Sequence, residues 1–317
     1  MTLQNRGKLS EFFRKNISFL AFVILFFAFS VTVPDKFLTS SNLLTFLGSS
    51  MDVLVVAMGG TFIILLGSID LSAGSMVALC GVIAAKLFVS TGNLFVSVAV
   101  TCLFSCAVYA LQGTLHAFLK VPTFIVTLAF LSIARACATL LSGGVNTSVP
   151  YSSPFKTIFG LRPWTLFIGF GIFFFCLFLE KYTVFGRFTK LTGGDEVVAQ
   201  LSGLNVNKIK IMVYAFAGVM TGLGACLMAG RIGSGSPSIG DGYELTIISS
   251  VVLGGTSQRG GVGSVVGTLV GCVTLKLLAN GLVIWGMSSE VQKLITGAIL
   301  ILAVFVSQER RKNMIVK

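Results

Sequence analysis

Seven ionisable side chains fall inside or beside long apolar runs, where any chemistry they do would be unusual: Asp70, Lys86, Arg135, Glu180, Asp241, Glu244 and Lys276. A charge at membrane depth is costly, so each is a candidate for a functional role such as lining a solute path. Glu180 ends its apolar run, where a long side chain reaches the membrane surface cheaply. Asp241 and Glu244 are expected at the outer end of such a path.

Asp70 is the most informative of these residues because it lies in the sequence GSIDLSAGS, residues 67–75. Its carboxylate could cap a half-helix that begins near Ser72, or it could line a path through the membrane. The cap is the favoured interpretation. Ser72 and Ser75 are further candidates for the path. So few interior carboxylates argue against a carrier that is coupled to protons or sodium.

The residues that most enzymatic chemistry requires are missing. No Gly-x-x-x-x-Gly-Lys-Ser/Thr sequence is present, so the chain does not hold a nucleotide through a P-loop. The single histidine, His116, and seven cysteines without a Cys-x-x-Cys pair argue against a metal or haem site. No set of nucleophile, base and acid is recognisable. We therefore expect no enzymatic activity, no metal and no cofactor bound by this chain.

Composition places these residues in a membrane protein. The chain is 55% hydrophobic and 11% charged, whereas a soluble domain carries about a quarter charged residues. The net charge of +12 does not indicate nucleic acid, because Lys and Arg concentrate before residue 17, in 181–210 and after residue 307. That is the positive-inside pattern of cytoplasmic segments beside anionic lipid. The predicted fold class is all-α, a polytopic membrane helix bundle.

The apolar runs predict about ten spans in a single transmembrane domain, residues 1–317, with both termini in the cytoplasm. The cytoplasmic parts would be the N-terminal segment 1–16, the loop 183–208 and the tail 307–317, while 142–163 would lie outside. The spans are expected near residues 17–33, 43–66, 74–90, 94–119, 122–141, 164–182, 209–230, 244–256, 264–285 and 291–306.

Two stretches, 66–75 and 253–264, look like weak copies of each other, since each breaks an apolar run with Gly and Ser. Paired broken or re-entrant helices in two halves of a chain indicate a transport path. An ordinary glycine-rich loop at the membrane surface is an equal alternative. Small residues also recur every four positions, which predicts close helix packing or a subunit interface: Gly218, Gly222, Cys226 and Gly230, and Gly263, Gly267 and Gly271.

A polar, glycine-punctuated segment runs from Thr192 to Lys210. Asp195 is placed to cap a helix of about two turns, and Gly203 is placed to end it. Such a helix is too short to be stable alone in water. It must therefore dock, either on the rest of the chain or on a partner, through an apolar face formed by Val197, Leu201 and Leu204.

Together these motifs resemble a known family, the membrane permease subunits of sugar ABC importers, in its ribose-type branch. GSIDLSAGS is similar to the family's GGIDLSVGS signature. GGDEVVAQLSGLNVNKIKIMVY, from residue 193, is similar to its cytoplasmic coupling segment. GYELTIISSVVLGGTSQRGGVGSVVGTLVG, from residue 242, is similar to a late segment. The likeness covers about residues 37–306 and keeps the motifs in family order.

The resemblance implies roles for individual residues. Asp70 matches the signature aspartate, while Ser68 replaces a family glycine and Val197 and Val198 replace two alanines. The coupling segment, which docks on the ATPase subunit, is matched by Gly194, Glu196, Ala199, Gly203 and Asn205. The late segment near the subunit interface is matched by the ridge Gly263, Gly267 and Gly271 and by Asn280 and Gly281.

The resemblance also implies partners and an activity. Two permease subunits, alike or different, would form the path in the bacterial cytoplasmic (inner) membrane. ATP-binding cassette ATPase subunits would dock below and an extracytoplasmic sugar-binding protein above. ATP hydrolysis in those partners would drive a ribose-like pentose or another monosaccharide inward. The alternatives are a related permease for a nucleoside, an amino acid or a furanone-type signal, a secondary transporter, and a non-transporting scaffold.

Overall fold

The computed structural model describes residues 17–312; the predicted segment 1–16 and residues 313–317 of the predicted tail lie outside this range. The described chain forms fourteen helices and one two-stranded sheet. In chain order these are α1 Ile17–Thr32, α2 Pro34–Phe37, α3 Ser40–Leu65, α4 Ala73–Thr91, α5 Leu94–Phe118, α6 Thr123–Ser142, β1 Thr147–Ser148, α7 Pro154–Gly160, α8 Trp164–Tyr182, α9 Val184–Gly194, α10 Glu196–Leu201, α11 Val206–Ile232, β2 Ser234–Gly235, α12 Tyr243–Leu253, α13 Val265–Ile284 and α14 Ser289–Lys312.

Seven of the described helices have the length and hydropathy to cross a membrane: α3, α4, α5, α6, α8, α11 and α13. Each begins and ends within three residues of a predicted span. Helices α1, α12 and α14 occupy the other three predicted runs, and α1 and α12 are shorter apolar helices. The predicted all-α, multi-pass bundle is therefore confirmed, while the count of ten crossings stays a prediction.

Polar residues between the apolar runs begin and end these helices. The side chains of Thr39, Asn93 and Ser264 accept backbone N–H groups at the starts of α3, α5 and α13. Helices α4 and α11 end at Gly92 and Gly233, which adopt the left-handed conformation with φ of 66° and 83°. Such caps satisfy the backbone groups that a helix end leaves unpaired, so the boundaries follow from local sequence.

Helix α11 lies at the centre of the bundle and packs against α3, α4 and α5. Its small residues allow the close approach. A Cβ on Gly218 would lie 2.5 Å from the Ser105 carbonyl oxygen, and one on Gly222 would lie 3.0 Å from the Cα of Cys102, both on α5. The glycine spacing on α11 therefore serves helix packing within this chain.

Helices α3 and α12 end with the same backbone pattern, which gives the weak sequence repeat a structural counterpart. At the end of α3, the N–H groups of Gly67 and Ser68 donate to the carbonyls of Ile64 and Ile63 at 2.9 and 3.1 Å. At the end of α12, Gly255 and Thr256 donate in the same register at 2.9 and 3.2 Å, to the carbonyls of Val252 and Val251. Each is a Schellman motif with its glycine at positive φ.

The region 142–163, predicted as an outer loop, contains β1 and the seven-residue α7. β1 pairs antiparallel with β2, with Thr147 opposite Gly235. Phe155 and Phe159 of α7 join a core cluster with residues of α4 and α11. We call this the sheet end of the bundle. The opposite end, where α10 precedes the start of α11, is called the α10 end.

We predict that Gly218→Ala lowers the apparent melting temperature in detergent. The added methyl group would sit 2.5 Å from the Ser105 oxygen and 2.8 Å from the Cβ of Tyr109, and overpacking of this kind costs about 1–3 kcal/mol. Gly171→Ala on α8 is the matched control, because no atom lies within 4 Å of its added methyl group. Thermal unfolding followed by tryptophan fluorescence measures both. Equal melting temperatures for Gly218→Ala and the wild type would contradict the packing argument.

Candidate functional site

Asp70 lies inside the bundle, level with the middle of α5 and α11, and is 8% exposed. Its Oδ1 accepts hydrogen bonds from the Ser72 N–H and the Ser72 hydroxyl, both at 2.7 Å. Its Oδ2 accepts the Tyr109 hydroxyl of α5 at 2.6 Å. Thr221 of α11 donates to the Tyr109 oxygen at 3.3 Å, and Gln112 donates to the Ser72 hydroxyl at 3.2 Å. Three elements thus converge on one buried carboxylate.

This geometry has the features of a helix cap. The Asp70 carboxylate binds the Ser72 N–H directly before α4 begins at Ala73, at the positive end of that helix. A cavity of about 10 Å³ also lies against Asp70, Ala73 and Thr221. That volume is at the lower limit for one water molecule, so a sugar does not fit there. A role for Asp70, Ser72 or the buried Ser75 in the solute path stays a prediction.

The first turn of α4, which is a full-length helix rather than the predicted half-helix, meets the start of the short helix α12 and the residues before it beside this cluster. A Cβ on Gly74, in the first turn of α4, would collide with the carbonyl oxygen of Gly240 and with the carboxylate of Glu244, in the first turn of α12. Gly74 and Gly240 therefore approach backbone to backbone. Transporters commonly form the solute site where such broken helices present their N-terminal ends.

Arg135 of α6 holds the segment that leads into α12. Its Nη1 donates to the carbonyls of Pro237 and Ile239 at 2.6 and 2.7 Å. Further along, Asp241 is exposed and pairs with Lys293 of α14 at 2.7 Å. The Lys293 ammonium lowers the pKa of the Asp241 carboxyl below its usual value. The two hydrogen bonds of Arg135 therefore position the backbone before α12 and do not form an ion pair.

Sequence reasoning missed an ion pair near the sheet end. Asp52 of α3 is 2% exposed, and its Oδ2 accepts two hydrogen bonds from Arg231 of α11, from Nε at 2.9 Å and from Nη2 at 2.6 Å. The pair lines a cavity of about 200 Å³ together with Arg162 and Thr165. The sequence feature that could have revealed this pair was the Asp52 carboxylate inside the predicted span 43–66. Its partner lies 179 residues away in sequence.

The short helix α10 has both of the predicted caps. Asp195 accepts the N–H groups of Val197 and Val198, each at 3.0 Å. Gly203 has a φ of 82° and donates to the carbonyl of Gln200, while the next N–H donates to that of Ala199. This is a Schellman motif, so local hydrogen bonds fix both ends of α10.

The side chains of α10 divide into one buried and several exposed positions. Ala199 faces the bundle and is 3% exposed. Of the predicted apolar face, Val197 and Leu201 are 64% and 83% exposed while Leu204 is half-buried, and Val198 beside them is 57% exposed. Glu196 pairs with Lys210 of α11 at 2.8 Å. The pair lines a polar cavity of about 520 Å³ with other residues of the α10 end, among them His116, Lys120 and Gln200.

The remaining predicted site residues make contacts within the chain. Asn205 caps α11 by accepting the Lys208 N–H at 3.0 Å. Cβ atoms on Gly263 and Gly267 would collide with the side chain of Thr256 and the carbonyl of Gly254, so this glycine ridge packs α13 against the end of α12. Asn280 and Asn42 exchange side-chain amide hydrogen bonds at 2.9 and 3.2 Å. Their place in a subunit interface stays a prediction.

Glu180 lies in the last turn of α8, at the predicted end of its apolar run, but its side chain turns into the bundle. Its side chain is only 3% exposed and pairs with Lys190 of α9 at 2.7 Å. It also accepts the backbone N–H of Val265 at 2.8 Å. A buried carboxylate is retained only where such partners replace water.

An all-α, multi-pass bundle in which the start of α4 meets the segment that leads into α12, with an exposed short helix, has the architecture of a membrane transport permease. The family model for the permease component of branched-chain amino acid transport systems matches residues 42–304. The chain belongs to this permease family, in its ribose-type branch, and the family resemblance found in the sequence is confirmed.

Curated relatives match almost the whole chain. The ribose import permease protein of Escherichia coli strain K12 is 35% identical over 301 residues, 93% of this chain and 94% of the relative. The ribose import permease protein of Haemophilus influenzae is 33% identical over 307 residues, 94% of each chain. The L-arabinose ABC transporter permease protein of Azospirillum brasilense is 34% identical over 314 residues, 97% of this chain and 91% of the relative. No solved structure matches the chain significantly.

We predict that Asp70→Ala destabilises the fold more than Asp70→Asn. Alanine leaves the Ser72 and Tyr109 donors unpaired, at a cost of about 1–3 kcal/mol for each buried group. Asparagine keeps an acceptor oxygen for Ser72. The apparent melting temperatures of both variants in detergent measure the difference. If Asp70→Ala is as stable as the wild type, the carboxylate is not a structural cap.

Proposed function

We propose that this chain is the permease subunit of an ABC importer that carries a pentose such as ribose, or another monosaccharide, into the cytoplasm. ATP would be bound and hydrolysed by partner ATPase subunits rather than by this chain. The names of the relatives, which are ribose and L-arabinose permeases, support the sugar. The proposed site is the bacterial cytoplasmic membrane, with the α10 end and both termini on the cytoplasmic side.

The exposed face of α10 is the observation that carries the proposal. This six-residue helix is held by two caps and by buried Ala199, yet it presents Val197, Val198 and Leu201 to the outside. Three apolar side chains on so short a helix are suited to insertion into a groove of another protein. We assign this groove to the ATPase subunit, with Gly194 and Glu196 at the near edge of the contact.

The solute path is proposed to run between two permease subunits, past the meeting point of α4 and α12. A single chain leaves only about 10 Å³ beside Asp70, which does not admit a monosaccharide. A second copy, or a related permease, would supply the other wall. The extracytoplasmic sugar-binding protein would deliver its ligand at the sheet end, opposite the ATPase.

An amino acid is a second candidate substrate, because the matching family model is described by branched-chain amino acid transport. The two are separated by screening the partner binding protein against pentoses, hexoses and branched-chain amino acids. Tight binding of a sugar alone supports the first proposal, and tight binding of an amino acid alone would replace it.

We predict that Glu196→Lys uncouples ATP hydrolysis from uptake without affecting membrane insertion. Glu196 is 46% exposed, so a lysine there can turn toward solvent, but Lys210 is only 9% exposed and the Glu196–Lys210 attraction becomes a repulsion at α10. We expect uptake per ATP hydrolysed to fall roughly tenfold, as a loss of about 1.4 kcal/mol in the free energy of docking between α10 and the ATPase subunit would give.

The measurement uses proteoliposomes that contain the permease, its ATPase subunits and the binding protein. Lys181→Glu is the control, because it reverses an exposed charge at the same end of the bundle outside the coupling segment. Normal coupled uptake in Glu196→Lys would count against the assignment of α10.

A further inference from the structure

Glu180 bonds two elements that are distant in sequence. Through Oε1 it pairs with Lys190 of α9 at 2.7 Å, and α9 leads into α10 with only Asp195 between them. Through Oε2 it accepts the N–H of Val265 at 2.8 Å, and Val265 is the first residue of α13. One carboxylate at the end of α8 therefore holds both α9, the helix before α10, and the start of α13.

The contact with α13 is favourable in its own right. A helix begins with backbone N–H groups that have no intrahelical partner and carries partial positive charge there. Ser264 satisfies one of these groups by accepting the Gly267 N–H at 3.0 Å. Glu180 satisfies another and adds a full negative charge at the same helix end. Removing Glu180 would leave both the Val265 N–H and the Lys190 ammonium without this partner.

A second contact, made by backbone alone, joins the same elements. A Cβ on Gly193, near the end of α9, would collide with the carbonyl of Leu65 at the end of α3. A Cβ on Gly261, in the loop before α13, would lie 2.7 Å from the Cα of Gly194. The Gly261 N–H also donates to the Leu65 carbonyl at 2.8 Å. The end of α9 is therefore packed directly against both broken-helix loops, and a side chain at Gly193 or Gly261 would not fit.

We propose that Glu180 is a positioning residue that transmits displacement of α9 and α10 to α13. The inference rests on the proposed function, in which the ATPase subunit moves α10. The glycine contact keeps α9 in register with the two loops, and the Glu180 carboxylate transmits the movement because its two bonds join α9 to the start of α13. Helix α13 in turn contacts α3 through the hydroxyls of Thr268 and Thr61, 2.7 Å apart. Movement of α10 thus reaches α3 and α13, the two helices that flank the broken segments.

Variants separate the two bonds of the carboxylate. Glu180→Gln keeps an acceptor for the Val265 N–H but loses the ionic attraction to Lys190. Glu180→Ala loses both. Lys190→Met breaks the ion pair from the other side, and Lys190→Arg keeps it. Lys181→Met is the matched control, because it removes one exposed positive charge from the residue next to Glu180.

The experiment measures uptake per ATP hydrolysed in proteoliposomes with the complete importer. We expect Glu180→Ala to lower this ratio roughly tenfold while ATP hydrolysis continues, with Glu180→Gln and Lys190→Met intermediate. Lys190→Arg and Lys181→Met should keep the wild-type ratio. A wild-type ratio in both Glu180→Gln and Lys190→Met would overturn the proposal, and these two variants decide it even if Glu180→Ala does not fold.

Hydrogen exchange provides a readout that does not depend on transport. In the wild type, addition of the ATPase subunits should change amide exchange at residues 261–268, and Glu180→Gln should reduce that change. Equal changes in the two proteins would overturn the proposal. Failure of the wild-type chain to assemble with any ATPase would instead refute the proposed function, so the two failures are distinguishable.

Discussion

Non-helical backbone inside a membrane protein must be paired within the protein, and this constraint shapes the whole bundle. The chain leaves the helical conformation inside the bundle at residues 66–72 and again around α12. At both places Schellman hydrogen bonds close the preceding helix. At the first break Asp70 accepts the N–H of Ser72, and in the segment before α12 Arg135 donates to the carbonyls of Pro237 and Ile239. Asp70 and Arg135 thus pair backbone groups of the non-helical segments.

Glycine residues allow these non-helical segments to pack closely against their neighbours. Gly74 and Gly240 allow the start of α4 and the segment before α12 to touch backbone to backbone, and Gly193 and Gly261 allow the α9 segment to touch both loops. In lipid, helix association depends on such close approach rather than on burial of apolar surface from water. The irregular segments, the central helix and the docking segment are therefore parts of one packed unit.

Local sequence predicted the features that depend on local physics. The apolar runs placed seven helices within three residues, and Asp195 and Gly203 placed the caps of α10, because each effect acts within a few residues. Contacts between distant residues could not be predicted in this way. The partner of Glu180 at Val265 lies 85 residues away, and the partner of Asp52 lies farther still. Periodicity also could not tell which side of α10 faces outward, because a six-residue helix with apolar residues on several sides has no unique face.

In α10, the groups that fix the conformation differ from the side chains that are exposed, and this difference has an evolutionary consequence. Its conformation comes from backbone hydrogen bonds and from buried Ala199, so the exposed positions are free to diverge without disturbing the bundle. Val197 and Val198, bulkier than the alanines of the resembling family, lie on that free side. In the proposed complex, they would need a wider groove on the ATPase subunit than alanines would, so an ATPase subunit with a narrower groove would not accept α10.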